Sequence, residues 1–313
     1  MADTPTTIAD LIKVNDMNLS DIDVSDLLQG APLIRSLVAD TASNGTQHKY
    51  LKETDAPVVG FRAANDGRDH DKSTDTLVTI DLKILDATCS ADKAVADAYG
   101  KGGADAWMER EGRRHLRAAF AFGEKQLLYG TSSADGTGFT GLADATTINH
   151  LDDEMVIGGG GTTALTSVFG IRSVDPMTDV TLVTGNNGNL EFGSRYEQLL
   201  TGANGKYPGY VQTIYAWLAL QIGSRFSVGR IANLDAGANG LDDDKISDLL
   251  SLYPADRPCT HLVMNRRSRK QLQQSRTATN PTGMPAPFPT EAFGIPIITT
   301  DQISNAETAL VAA

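Results

Sequence analysis

Residues 103–142 restrict what this chain can fold into more than any other stretch. Ala104, Met108, Gly112, Leu116, Ala119, Phe120, Gly123 and Leu127 recur every three or four residues, the spacing that lines one face of an α-helix. Glu109 stands four residues before Arg113, an order that supports a helix by a few tenths of a kcal/mol. Glycine within a helix costs about 1 kcal/mol relative to alanine, so Gly112 and Gly123 on the apolar stripe predict another backbone packed close to it. About 25 residues at 1.5 Å each make a rod of roughly 37 Å. A rod of that length is a spine, and the other elements must pack along it.

Beyond the spine, Gly136, Gly138 and Gly141 spell G-x-G-x-x-G. The dinucleotide fingerprint with that spelling follows a strand and opens a helix, because the pyrophosphate sits on the helix N-terminus. Here a helix precedes and a loop follows, which favours a tight turn by which the chain leaves the spine. The glycine run at 158–161 lacks the Lys-Ser/Thr of a phosphate loop and reads as a flexible segment. The acidic runs at 152–154 and 242–244 do not alternate around a glycine as calcium ligands do, and read as a solvated turn and a helix start. His48, His70, His115, His150 and His261 show no paired spacing, and no Gly-x-Ser-x-Gly elbow occurs. The expectation is a protein with no enzymatic centre, no cofactor and no metal.

The 313 residues leave room for about two domains and a sizeable core. No run of about eighteen apolar residues occurs, and the first residues lack a basic region followed by an apolar one. We therefore expect neither a membrane span nor a signal peptide, and a protein made and kept in the cytosol. Cys89 and Cys259 fit neither a disulfide framework nor a zinc pattern and are expected to be inert thiols.

Residues 1–40 read as short helical pieces. Ile8, Leu11 and Ile12 make one apolar face, Leu27 and Leu28 another, and Pro32 opens a helix that carries Leu33, Ile34, Leu37 and Val38. Such pieces cannot bury their faces alone; they lie either on a neighbouring subunit or on the chain's own body. From 45 to 86 the pattern changes to strands: Val78, Ile80, Leu82 and Ile84 alternate with Thr79, Asp81 and Lys83, after a weaker extended stretch at 46–54. Residues 62–75 between them are polar and charged with no apolar anchor, the composition of an exposed tip. This is either an ordinary surface hairpin or one that gains order by resting on a neighbour, since an isolated hairpin is marginal in water.

A short helix is expected over 88–99 and a break at 100–103. Strands are expected over 166–172, 180–184, 210–220 and 226–234. In the third, Val211, Tyr215 and Trp217 share one face and Tyr210, Ile214 and Leu218 the other, as in a strand buried on both sides. Residues 241–253 read as a helix with an acidic start, 262–264 as a brief strand, 266–276 as a basic helix, 281–289 as a stiff loop and 295–299 as a last strand. The class is α+β. Arg110, Arg113, Arg114 and Arg117 crowd one region of the spine, and Arg266, Arg267, Arg269 and Lys270 a second helix. The net charge of −12 and the lack of interleaved aromatics favour a solvated or subunit-facing ridge over a nucleic-acid groove. Arginine also suits carboxylate pairing between subunits, because its fork binds two oxygens at once.

The long helix ending in Leu127-Leu128-Tyr129-Gly130, followed by Gly136-Thr137-Gly138 and Gly141-Leu142, resembles the end of the spine helix in tailed-phage major capsid proteins of the Hong Kong 97 type. Arg230-Ile231-Ala232-Asn233, and Met264-Asn265-Arg266-Arg267 leading into Phe293-Gly294-Ile295-Pro296-Ile297, look like segments of one branch of that family; together the matches cover nearly the whole chain. The resemblance implies an α+β Hong Kong 97 type fold. Its parts would be an N-terminal arm at 1–44, an extended hairpin (the E-loop) at 45–86, and a P domain with the spine at 87–142. Residues 143–313 would hold an apical A domain plus returning P-domain strands.

As function the resemblance implies self-assembly, as pentamers and hexamers, into an icosahedral phage head. The head would form in the host cytoplasm and enclose double-stranded DNA without sequence-specific contacts. A net acidic wall fits a container to which DNA does not adhere. A portal protein and a decoration protein are implied partners. The arm-like pattern begins within ten residues of Met1, so a separate scaffolding protein and an intact N-terminus are expected. No covalent cross-link is expected, since Lys72 and Lys83 carry no distinctive match. Expected assembly contacts are Ile8, Leu11 and Ile12 on the arm, Arg62, Arg68 and Lys72 on the hairpin, and Arg110, Arg113, Arg114 and Arg117 on the spine. An encapsulin-type compartment of the same fold stays open as an alternative, and more remotely a soluble enzyme using the glycine-rich turns.

Overall fold

The computed structural model describes residues 13–14, 28–55, 57–69, 71–280 and 284–313. The first half comprises β1 (Lys13–Val14), α1 (Pro32–Ser36), β2 (Val38–Thr41), β3 (Gln47–Asp55), β4 (Thr74–Asp81), β5 (Lys83–Asp86), β6 (Cys89–Asp92), α2 (Lys93–Asp97) and the spine α3 (Gly103–Ser133). Then come β7 (Val156–Gly158), β8 (Thr166–Ile171), β9 (Val180–Thr184), β10 (Asn189–Phe192), β11 (Tyr196–Gly202), β12 (Gly205–Gln212), β13 (Ile214–Ile222) and β14 (Val228–Leu234). The chain closes with α4 (Asp243–Ser251), β15 (His261–Met264), α5 (Arg266–Ala278), β16 (Glu291–Ala292) and β17 (Ile295–Thr299). One sheet runs β1-β10-β13-β9-β2 with β5 also on β13, a second β16-β17-β15-β8-β14-β7, a third β11-β12-β6, and β3 with β4 make a two-stranded hairpin.

The spine forms where the apolar period places it and buries Met108, Leu116, Phe120 and Leu127. At Gly112 the close neighbours are side chains and not the expected backbone: a Cβ there would stand 3.0 Å from Gln212 Oε1 and 3.1 Å from the Phe192 ring. Gly123 has only ordinary contacts, with Leu85, Ile34 and Leu218 at 3.5 Å or more. The spine is broken at Gly130, whose φ of +60° and ψ of −147° are closed to side chains. Asp144 braces the corner by accepting from Thr131 N at 2.8 Å and Gly141 N at 3.2 Å. Gln126 donates to Phe139 O at 2.8 Å and accepts from Asp135 N at 3.0 Å. A Cβ on Gly138 would overlap the Gln126 amide and one on Gly141 the Gly130 backbone, whereas Gly136 has open space. The G-x-G-x-x-G spelling is thus the tight turn off the spine.

Three expected elements differ. The alternating strand at 78–84 divides at Leu82, which is buried beside Val183 and Ala219. β4 pairs with β3 while β5 joins β13, so the phase flips: Ile84 is 55% exposed and Leu85 faces the spine. The stretch 210–220 likewise divides at Thr213, with β12 in the third sheet and β13 in the first. Residues 88–99 begin as strand β6, and only Lys93–Asp97 is helical, capped by the Asp92 carboxylate accepting from Ala94 N at 2.8 Å. The hairpin of β11 and β12, unanticipated over 196–207, is largely exposed there, Leu199 included.

Residues 28–41 belong to the subunit's own core. Leu28, Ala31, Leu33, Ile34 and Leu37 are buried, and β2 extends the first sheet parallel to β9. For this part of the expected arm, docking on the chain's own body is the reading that holds. Ile8, Leu11, Ile12, Leu27 and His70 lie outside the described residues.

Candidate assembly surfaces

The hairpin is anchored at its root and open at its tip. His48 Nε2 lies 2.8 Å from Gln221 Oε1, and Ser43 N donates to His48 Nδ1 at 3.3 Å. Gln221 Nε2 is committed to Pro176 O and Met177 O, which orients its amide with Oε1 toward His48 Nε2 as the acceptor. Tyr50 OH donates to Ile222 O at 3.3 Å from the same strand. Farther out, Leu51 sits opposite Leu77 and both are exposed.

At the tip Arg68 donates from Nη1 to Gly60 O at 2.9 Å and from Nη2 to Val58 O at 3.0 Å, while Asp71 Oδ2 accepts from Val58 N at 2.9 Å. Arg62 Nη1 donates to Asp66 O at 3.1 Å. These bonds brace residues 58–61 with Val58, Val59 and Phe61 turned out, all three largely exposed. Sequence reasoning missed this apolar edge, whose signal was a Val-Val-Gly-Phe run just before the polar stretch. Arg62 and Arg68 are committed inside the tip; Lys72 is exposed on the same loop.

The spine arginines are brought together with acids. Arg113 pairs with Glu109 at 2.6 Å and Arg114 with Glu111 at 2.7 Å. Arg110 lies 5.4 Å from the Trp107 ring centroid and 5.8 Å from that of Tyr99, and Arg117 is exposed one turn beyond Arg113. The ridge is a mixed-charge surface. On α5, Arg276 grips Asp243 at 2.7 and 2.8 Å, Arg266 pairs with Asp301 at 2.5 Å, and Arg267 donates to Leu234 O at 3.3 Å. Most of that helix's charge therefore works within the subunit.

Two buried polar joints tie distant segments to the spine. Glu124 is fully buried and accepts from Leu33 N at 2.8 Å, from Ile34 N at 3.4 Å and from the Thr300 hydroxyl. Burial pushes its carboxyl up from 4.5 to about 6, against the pull of those donors. At the spine's end, Glu307 accepts from Tyr129 OH at 2.7 Å, Ser167 Oγ at 2.6 Å and Arg230 Nη2 at 3.0 Å. Asn233 holds the same tail through Leu310, accepting from its N at 2.8 Å and donating to its O at 2.9 Å. The Arg230–Ile231–Ala232–Asn233 stretch is thus the seat of the C-terminal segment.

A cleft of about 700 Å³ lies beside this joint, lined in part by Lys125, Tyr129, His150, Arg230 and Glu307. Its Arg230 and Glu307 are engaged with each other, and burial raises the Tyr129 phenol far above its ordinary range. Burial also pushes the Cys259 thiol up to about 11 and raises Cys89, the direction that suppresses thiolate reactivity. Among the described residues no group of three His, Cys, Asp or Glu could hold a metal ion, and no helix is long and apolar enough to cross a membrane.

The family model for major capsid protein GP7 matches residues 18–311. The chain belongs to the major capsid protein GP7 family. The fold agrees with solved capsids. The bacteriophage Epsilon15 structure superposes with a TM-score of 0.61 at 18% identity, covering 88% of each chain. The bacteriophage JBD30 capsid gives 0.54 at 12% identity, covering 85% of this chain and 89% of that one. No curated protein matches the chain. As a GP7 family member it is a structural, shell-forming protein of the virion capsid with the Hong Kong 97 type fold, and not an enzyme.

Proposed function

We propose that this capsid subunit assembles as hexamers and pentamers into an icosahedral head enclosing double-stranded DNA. One sequence fills both rings because heterologous contacts tolerate small differences in rotation. In this reading α3 and the first sheet form the P domain and the second sheet the apical domain. The N-terminal arm, with Ile8, Leu11 and Ile12, and the hairpin rest on neighbours. A separate scaffolding protein, a portal protein and a decoration protein are its partners, and DNA is held without sequence-specific contacts.

The observation that carries the reading is the braced apolar edge of Val58, Val59 and Phe61 at the end of an arm, exposed on the subunit. Burying such side chains is worth roughly 1.5–3 kcal/mol each, repeated at every subunit of a closed shell. Arg110, Arg113, Arg114 and Arg117 border the contacts, and Arg62 and Arg68 contribute by shaping the tip while Lys72 stays available. In the test, residues 58–75 are replaced by a short Gly-Ser turn, and subunits are followed by circular dichroism and particles by electron microscopy. The expected result is a folded subunit with few or fragile shells. Shells as stable as the parent's would remove the hairpin from the assembly contacts.

A further inference from the structure

The chain holds four Asn-Gly pairs, at Asn44, Asn187, Asn204 and Asn239. In such a pair the missing Cβ leaves the glycine nitrogen unhindered toward the asparagine carboxamide. Reaction also needs a carboxamide free to turn and a glycine N–H not committed elsewhere, and three of the pairs fail that condition. Gly188 N, after Asn187, donates to Gly185 O at 3.0 Å. Asn204 lies in the hydrogen-bonded turn of β11 and β12, which Gly202 and Gly205 close as the last pair of the ladder. Asn239 Nδ2 donates to Gly160 O at 3.2 Å and to Asp235 Oδ2 at 3.0 Å. At Asn44 both groups are free: the residue is exposed, and among the described residues neither its side chain nor Gly45 N makes a hydrogen bond. Nothing stands within 4 Å of where a Gly45 Cβ would be.

This pair sits at the root of the hairpin of β3 and β4. Asn44 N donates to Gln47 O at 3.0 Å, and Gln47 N to Asn44 O at 2.5 Å. Next to them Ser43 N donates to His48 Nδ1, and Leu82 N to Thr46 O at 2.9 Å, so the turn joins the start of β3 to the end of β4. We propose that Asn44 is a site of spontaneous modification, and that its product loosens the root of the hairpin. Gly45 N, deprotonated by hydroxide, attacks Asn44 Cγ; the N–Cγ bond forms, the Cγ–Nδ2 bond breaks and Nδ2 leaves as ammonia. Water then opens the cyclic imide, at Cγ to give aspartate or at the former main-chain carbonyl to give isoaspartate, with nothing oxidised or reduced. Closing the ring turns the main chain of Asn44, so the step runs through brief opening of the exposed turn. Isoaspartate adds a methylene to the main chain and a carboxylate to the turn, which puts the Asn44–Gln47 pair out of register.

In the test the full chain, unassembled, is incubated in heavy-oxygen water and digested. Each Asn-Gly peptide is followed by mass spectrometry, with fragmentation that separates isoaspartate from aspartate. Label should enter at Asn44 roughly three- to tenfold faster than at Asn187, Asn204 or Asn239, where further hydrogen bonds must first be given up, and faster as pH rises. No label at Asn44, equal rates at all four pairs, or faster entry at another pair would overturn the assignment. Aged parent should exchange the amide hydrogens of β3 and β4 faster than fresh protein does. Asn44→Gln keeps the carboxamide but closes its larger ring far more slowly, so it should age without that change. Unchanged exchange in parent that carries isoaspartate at position 44, or an Asn44→Gln chain that loosens as the parent does, would overturn the effect on the hairpin.

Discussion

Glu124→Gln removes the charge from the joint where α3, α1 and the segment after β17 meet, and keeps its shape. The folded subunit holds the Glu124 proton with a pKa of about 6 against an ordinary 4.5. Below pH 4.5 both folded and unfolded chains are protonated and the group exacts no penalty. Between 4.5 and 6 the unfolded chain ionises first, so stability falls as pH rises; above 6 the full difference, about 2 kcal/mol, remains. Glutamine keeps an oxygen to accept from Leu33 N and Ile34 N, and its amide can donate to the Thr300 hydroxyl. The variant should match the parent at pH 4.5 and be up to about 2 kcal/mol more stable at pH 7. Urea unfolding of unassembled subunits at the two pH values, followed by circular dichroism, measures this. Glu124→Ala is the control, and should lose at least about 2 kcal/mol at both because it strands the two N–H groups. An equal gain for Glu124→Gln at both pH values, or a loss at pH 7, would refute the argument that burial of charge dominates this site.

At the turn off the spine, Gly141→Ala should fail to fold or melt far below the parent while Gly136→Ala melts with it, because only the former Cβ meets backbone; parallel thermal melts decide this. Glu307→Ala should cost roughly 3–5 kcal/mol in subunit unfolding by leaving Arg230 buried and unpaired. Denaturing gels of mature particles should show one band near 33.3 kDa, and a boiling-resistant ladder would mean that the shell is covalently linked.

The regular elements were legible in the sequence because each repeats a local period. The stripe from Ala104 to Leu127, the apolar runs of β8, β9 and β14, and the acidic start of α4 depend on residues a few positions apart. The family resemblance rested on equally local strings, Leu127 to Leu142 above all, and the family match over 18–311 agrees with it. Other features were decided only by tertiary structure. Alternation runs unbroken through Leu82, and the stretch 210–220 reads as one strand across Thr213, yet the chain changes sheet at both places, since hydrogen-bonding partners are supplied by distant parts of the chain. Arg68 looked available for a neighbour's carboxylate until the loop folded back and gave it two carbonyls. Nothing in the residues next to Glu124 marks it out on the spine. Its partners lie 91 and 176 residues away, and only when those segments close over it does burial outweigh hydration and raise its pKa.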